Sequence, residues 1–444
     1  MKYNRIIFLR ENNRIRHWFW PIFALFVVML FGFSSGTPDW VVFMQLILAL
    51  EFVIAFLFLQ KATAIQIVIS IGTLLLINTA AIRYLFSVNG VHPFGPEPAD
   101  SLTYLSMSMK ARTLSVGDYI HYLNTKDISF DDFGMLLIGR FAALIGGSET
   151  GYMVVLVLFN AVSLMISTFF IYKSANLFIR PQTSLLVAII WGLHQGFIGF
   201  SVFGLKENIF LVFVVLSIYY NIRFIYDRKI IDFSLGVLFV LISCLFRFAV
   251  GVQLFLALLI VMIISRANRT KWVAFIMFAV AGILIVNMDQ LIILVGGEGI
   301  DVLLEMGEEN ASSIGTQQTY FANIIYAIIG SPARFKGTMG FNHIMNFSSL
   351  IISIISVFYV YNITQMFKRI QVAQLFLFVY WLLGTGMLTL VLRGSDFRFA
   401  SMYFPSLLLL SGVGYEKSGE RKWFKVLSIC WVIPVFIITI LWNR

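Results

Sequence analysis

The chain reads as an all-α polytopic membrane protein, and three observations carry that reading. Of its 444 residues, 59% are hydrophobic and only 12% charged, with mean hydropathy +0.89. Apolar runs recur along the whole length, each roughly 20 residues, about what a helix needs to cross a bilayer core. The charges are sorted by loop, as topology signals are. A transmembrane β-barrel would show alternating segments of about ten residues instead.

Taken in order, the first 17 residues carry Lys2, Arg5, Arg10, Arg14 and Arg16 against Glu11 and read as a cytoplasmic tail. The first apolar run lacks a small-residue cleavage site, so it is expected to stay as a helix. About thirteen spans are expected, near 18–34, 41–60, 63–86, 151–172, 183–203, 208–225, 231–246, 249–265, 272–295, 344–364, 371–392, 400–415 and 423–441. That number leaves the N-terminus cytoplasmic and the C-terminus outside. Under this topology the cytoplasmic side holds 20 of the 32 Lys and Arg and 5 of the 22 Asp and Glu. The other side holds 12 basic and 16 acidic residues, and Glu51 falls inside the second span. The inner face is therefore +15 and the outer face −4, an asymmetry that a shift of one span would destroy.

No linker interrupts residues 1–444, which form a single integral membrane domain, and no internal repeat of the transporter kind stands out. Two long non-cytoplasmic loops remain, at about 87–150 and 296–343. The first holds four prolines and glycines within Pro93–Pro98, then Asp100, then a patch expected to form two short amphipathic helices. In the second, Thr319–Ile329 is apolar enough to lie in the interface as a short helix. A membrane protein has little reason to carry so long a polar loop unless the loop does work. Cys244 and Cys430 both sit in apolar runs and read as core residues. The net charge of +10 invites a nucleic-acid partner, but its placement in short loops on one side rejects that.

Asp100 is the leading catalytic candidate. It follows a rigid Pro/Gly turn, begins a D-x-x-x-Y pattern with Tyr104, and could act as a general base at the membrane–water boundary. The plainer expectation is a helix N-cap, a position Asp favours, and the two roles do not exclude each other. Next come cations that face outward and so serve no topological purpose: Lys206, beside Glu207, in a very short turn; Arg247 after the seventh span; Arg393 and Arg398 around the outer ends of the eleventh and twelfth; Arg334 and Lys336 closing the second loop. Gathered at one face they would suit a phosphate or diphosphate, which arginine grips in a bidentate way. Snorkelling, or pairing with Asp396 and Glu207, is the plainer account of each. Glu51, Asp289 and His194 lie in or near spans, where a satisfied polar contact is the expected role of Glu51 and His194. His92 and His121 make no metal motif by themselves; no cofactor is expected, although with Asp100 they could share a divalent cation. There is no P-loop, no G-x-G-x-x-G, no Ser/His/Asp signature and no zinc spacing.

Four stretches resemble the membrane glycosyltransferases of the GT-C superfamily, such as protein O-mannosyltransferases and aminoarabinose transferases. They are PADSLTYLSMSMKA; the run from FDDFGMLLIGRFAALIGGS through KSANLF; HQGFIGFSVFGLKENIFLVFVVLSIYYNIRF; and RGSDFRFASMYFPSLLLLSG. The resemblance implies a polyprenyl-phosphate or diphosphate sugar donor, used on the non-cytoplasmic face, with a glycan, lipid or protein as acceptor. It would make Asp100 the base and Lys206, Arg247 and Arg398 the donor-phosphate ligands, with Tyr104, Glu207 and Arg393 beside them. It departs from the family pattern in having three spans before the acidic loop instead of one. A repeat-unit polymerase of O-antigen or capsule is the second expectation, and a lipid or polysaccharide transporter the third. The implied location is a bacterial inner (plasma) membrane.

Overall fold

The computed structural model describes residues 19–96, 98–124, 132–264, 325–326, 328, 333–336, 339–366, 371–390, 397–418 and 422–443. Every element among them is a helix. In chain order these are α1 Phe19–Phe33, α2 Asp39–Leu59, α3 Ala64–Val88, α4 Ala99–Ala111, α5 Val116–Asn124, α6 Phe133–Gly146, α7 Glu149–Ala175, α8 Pro181–Gly192, α9 Gly196–Val202, α10 Glu207–Asp227, α11 Ile230–Cys244 and α12 Phe248–Ile264. After the gap come α13 Phe341–Met366, α14 Val372–Leu390, α15 Phe397–Ala400, α16 Phe404–Ser418 and α17 Lys422–Trp442. Seven stretches are long and apolar enough to cross a membrane: α2, α3, α7, the α8–α9 pair, α10, α13 and α14. Helices also occupy the expected spans near 18–34, 231–246, 249–265, 400–415 and 423–441, but they are shorter or less apolar. The span expected at 272–295, Asp289 and most of the second long loop lie outside the described residues.

Local chemistry explains the boundaries. Thr63 and Gln66 form a reciprocal capping box at the start of α3. Ser148 accepts the Gly151 N–H at the start of α7, after Gly147 ends α6 with φ +68°. Pro181 stands in the first turn of α8, where its missing N–H costs nothing. The fifth span is broken: α8 stops at Gly192 and α9 resumes at Gly196, and His194 Nδ1 accepts the Gly196 N–H at 3.1 Å across the break. Non-helical backbone at membrane depth requires burial in protein, and residues 192–197 are all buried.

The bundle shows two kinds of surface. On α7, Val154, Leu158, Val162 and Ile166 recur every four residues and are exposed, a stripe that suits lipid and not water. The core centres on Trp191, which stacks on Phe404 and donates its indole N–H to Ser167 Oγ at 3.1 Å. Among the described residues the ion pairs fall at two ends. One end joins Arg180 to Glu416 at 3.2 Å and Lys417 to Asn362 at 3.0 Å. The other holds the first long loop, which carries three short helices (α4, α5 and α6) where two were expected. The extra one, α6, packs so closely on α7 that a Cβ at Gly151 would lie 1.9 Å from the Gly146 carbonyl oxygen.

Candidate active site: an ionic cluster at one end of the bundle

Asp100 lies in the first turn of α4. Pro98, not Asp100, takes the N-cap position, so the capping role expected of Asp100 is not the one observed. Its Oδ2 instead accepts from Arg398 NH2 at 2.8 Å. Arg398 comes from the four-residue helix α15, 298 residues further on. Arg398 Nε also lies 3.7 Å from Glu207 Oε1, and Arg247 NH2 lies 3.3 Å from that same oxygen. Glu207 opens α10 and is fully buried. One inaccessible carboxylate thus anchors two guanidinium groups that remain partly open to the outside. Arg247, in the turn between α11 and α12, also sits 4.7 Å over the Phe399 ring.

Lys206 closes the other side. Its Nζ donates to Asp132 Oδ1 at 2.5 Å, and Tyr104, one turn along α4 from Asp100, donates its hydroxyl to the same Asp132 oxygen at 2.6 Å. Asp132 was not singled out from the sequence. Burial alone would push its carboxyl up, but Lys206, Tyr104 and Arg247 together outweigh that and hold it below the usual carboxylate value. Burial pushes the Tyr104 phenol up, and Asp132 adds to it, so Tyr104 stays a donor. Burial, then the like charge of Arg247, holds the Lys206 ammonium below an ordinary lysine; Asp132 and Glu207 work against that.

Of the seven residues expected at the site, six therefore fall in two adjoining contact sets: Tyr104 and Lys206 on Asp132, and then Asp100, Arg398, Glu207 and Arg247 together, with Lys206 and Glu207 neighbours in the chain. Arg393 lies outside the described residues, as does Asp396. Arg334 is held elsewhere, its backbone N–H donating to Asn346 Oδ1 at 2.7 Å. Glu51 has a partner inside the bundle, Asn78 Nδ2 at 2.7 Å, and His194 stacks on Phe397 at 4.3 Å. His92 Nδ1 accepts the Phe94 N–H at 3.1 Å, which shapes the turn ahead of α4. Among the described residues no three His, Cys, Asp or Glu side chains come together as a metal site would need.

A clasp of two phenylalanines and two glycines brings α4 to the α9–α10 turn. Gly95, at φ +94°, faces Phe203, and Gly204, at φ +65°, faces Phe94; a Cβ would meet those rings at 2.3 and 2.8 Å. Only glycine combines this backbone with so close an approach. Arg83 of α3 backs the clasp. Its guanidinium lies 5.1 Å over the Phe94 ring and donates to the carbonyls of Val202 and Ser201 at 3.2 and 2.9 Å, closing the end of α9. Ser101 donates its hydroxyl to the Phe203 carbonyl, which ties α4 itself to the turn.

Compared with known proteins, the chain matches no protein-family profile and no curated protein.

Proposed function

We propose that this protein is a membrane glycosyltransferase of the GT-C kind, which moves a sugar from a polyprenyl-phosphate or diphosphate donor to a glycan, lipid or protein acceptor. The observation that carries the proposal is the convergence of Asp100, Lys206, Arg247 and Arg398 from four separate connections at one end of an apolar bundle. In this reading about thirteen spans place the cluster on the non-cytoplasmic side of a bacterial inner membrane, with the N-terminus inside and the C-terminus outside.

The chemistry follows from the exposures and contacts. An acceptor hydroxyl oxygen attacks the sugar anomeric carbon, and its proton passes to the Asp100 carboxylate. The bond from that carbon to the donor phosphate oxygen breaks, and its electron pair leaves with the phosphate. Arg247 and Arg398, fixed on Glu207, meet that growing negative charge, and fixed donors of this kind need no reorganisation in the transition state. Asp100 returns its proton to water. Asp132 suits the base role less well, because Lys206 and Tyr104 already engage it.

Asp100→Asn should abolish product with normal expression and membrane insertion, and retained activity would remove Asp100 as the base. Arg398→Ala and Arg247→Ala should impair donor use more than acceptor use. The paired arginines on one carboxylate also favour a second reading, a repeat-unit polymerase whose acceptor is itself lipid-linked, since two guanidinium groups match a diphosphate. Mass spectrometry of lipid-linked glycans in cells lacking the protein separates the two. Loss of a polymerase leaves single repeat units, and loss of a transferase leaves glycans lacking one sugar.

A further inference from the structure

We propose that the Asp100–Arg398 contact is a latch opened by the donor phosphate, so that the base is most available once the donor is bound. The inference rests on the glycosyl-transfer reading and adds to it a coupling of donor to base.

The contacts of the cluster are unequally protected. The side chains of Arg398 and Asp100 are 30% and 51% exposed, against 5% for Lys206 and 0% for Glu207. A ligand arriving from outside therefore meets the Asp100–Arg398 contact first. It is held by one hydrogen bond of 2.8 Å, from the Arg398 NH2 group to Asp100 Oδ2. Arg398 Nε also lies 3.7 Å from the inaccessible Glu207 carboxylate, a close opposite charge that Asp100 does not supply. When Asp100 lets go, the guanidinium stays tethered and keeps its direction.

A phosphate oxygen binds an arginine through the same N–H edge a carboxylate uses. Donor phosphate and Asp100 therefore compete for Arg398, and two anions cannot share that edge without repulsion. An exposed ion pair of this kind is worth no more than about fivefold in an equilibrium, so a phosphate also held by Arg247 displaces it readily. The displaced carboxylate is then free to take the acceptor proton. Without donor, Asp100 is paired with Arg398 most of the time, and activation of the acceptor hydroxyl is weakened by up to about fivefold. The base is therefore most available once the donor is in place.

The test measures binding, not turnover. The full-length protein in phosphatidylcholine nanodiscs is titrated with a short prenyl phosphate. Asp100→Asn, which removes the competing charge, should bind it more tightly than wild type, by up to about fivefold. Asp100→Ala, which offers Arg398 no replacement acceptor, should shift the same way. On an Arg398→Ala background, Asp100→Asn should give no further tightening beyond the loss of one nearby negative charge, a double-mutant cycle that ties the effect to this pair. Unchanged or weaker binding in both Asp100 variants, with wild type binding measurably, overturns the latch and leaves the phosphate site standing. No saturable binding in wild type or in any variant overturns the phosphate site, and the latch with it.

Discussion

Gly204→Ala tests how the α9–α10 turn is held. The position has φ +65°, and a Cβ there would lie 2.8 Å from Phe94 Cε1. Left-handed backbone costs a non-glycine residue about 1–2 kcal/mol. Moving the Phe94 ring loosens its contact with the Arg83 guanidinium, worth about another 1 kcal/mol. The sum of about 2–3 kcal/mol corresponds to a roughly 30- to 150-fold shift toward an open turn. The readout is Lys206, whose side chain is 5% exposed in the closed turn. Its labelling by a small amine-reactive reagent, followed by peptide mass spectrometry on the intact protein, should rise by about that factor. Gly36→Ala is the control: its φ is +84°, but nothing lies within 4 Å of its Cβ position. It carries the backbone penalty without touching the clasp and should leave Lys206 protected. Equal protection of Lys206 in Gly204→Ala and wild type would refute the idea that the glycine–phenylalanine clasp positions the site.

Because burial and Arg247 hold Lys206 below an ordinary lysine, its charge is present at low pH and lost as pH rises through that lowered value; the alkaline limb of donor binding should move up in Lys206→Arg and down in Asp132→Asn, read from pH profiles of prenyl phosphate affinity. Glu207→Gln removes the shared anchor of Arg247 and Arg398 and should destabilise the protein by about 2 kcal/mol, less than for a fully buried pair because both arginines can reach solvent, as measured by thermal unfolding in detergent. Gly151→Ala drives a Cβ to within 1.9 Å of the Gly146 carbonyl oxygen, which cannot rotate away, and should cost about 1–3 kcal/mol and speed proteolysis of the first long loop. A topology reporter fused after Lys271 should read cytoplasmic and one inserted near Asn310 should read outside.

Much of this arrangement was legible in the residues, for a definable reason. In the thirteen-span reading Lys206, Arg247 and Arg398 face away from the basic side, so they stand out against the charge asymmetry of the sequence. Asp132 did not stand out. It is one acid in a polar loop, and its partner Lys206 lies 74 residues away; the adjacent Asp131 and Asp132 ahead of an apolar run were the available signal. Hydropathy also placed spans where the helices are shorter: α11 has 15 residues and α16 has 15, because residues counted as apolar span form the turns that carry Arg247 and precede α16. The N-cap expectation for Asp100 failed because proline takes that position two residues earlier, and Arg398, remote in sequence, draws the carboxylate instead. Arg83 was passed over because one arginine near the end of an apolar run looks like a boundary marker; its purpose depends on the carbonyls left open where α9 ends.

Among the described residues, the cations and carboxylates of the cluster are equal in number: Lys206, Arg247 and Arg398 against Asp100, Asp132 and Glu207. Seen from beyond a Debye length these members cancel, so they exert little long-range pull on an anion in solution. Under the proposed latch, recognition works at contact, by partner exchange. A ligand brought there by sliding within the bilayer loses nothing by that short reach, whereas a soluble anion gains no steering from the cluster, and its rate of arrival should vary little with added salt.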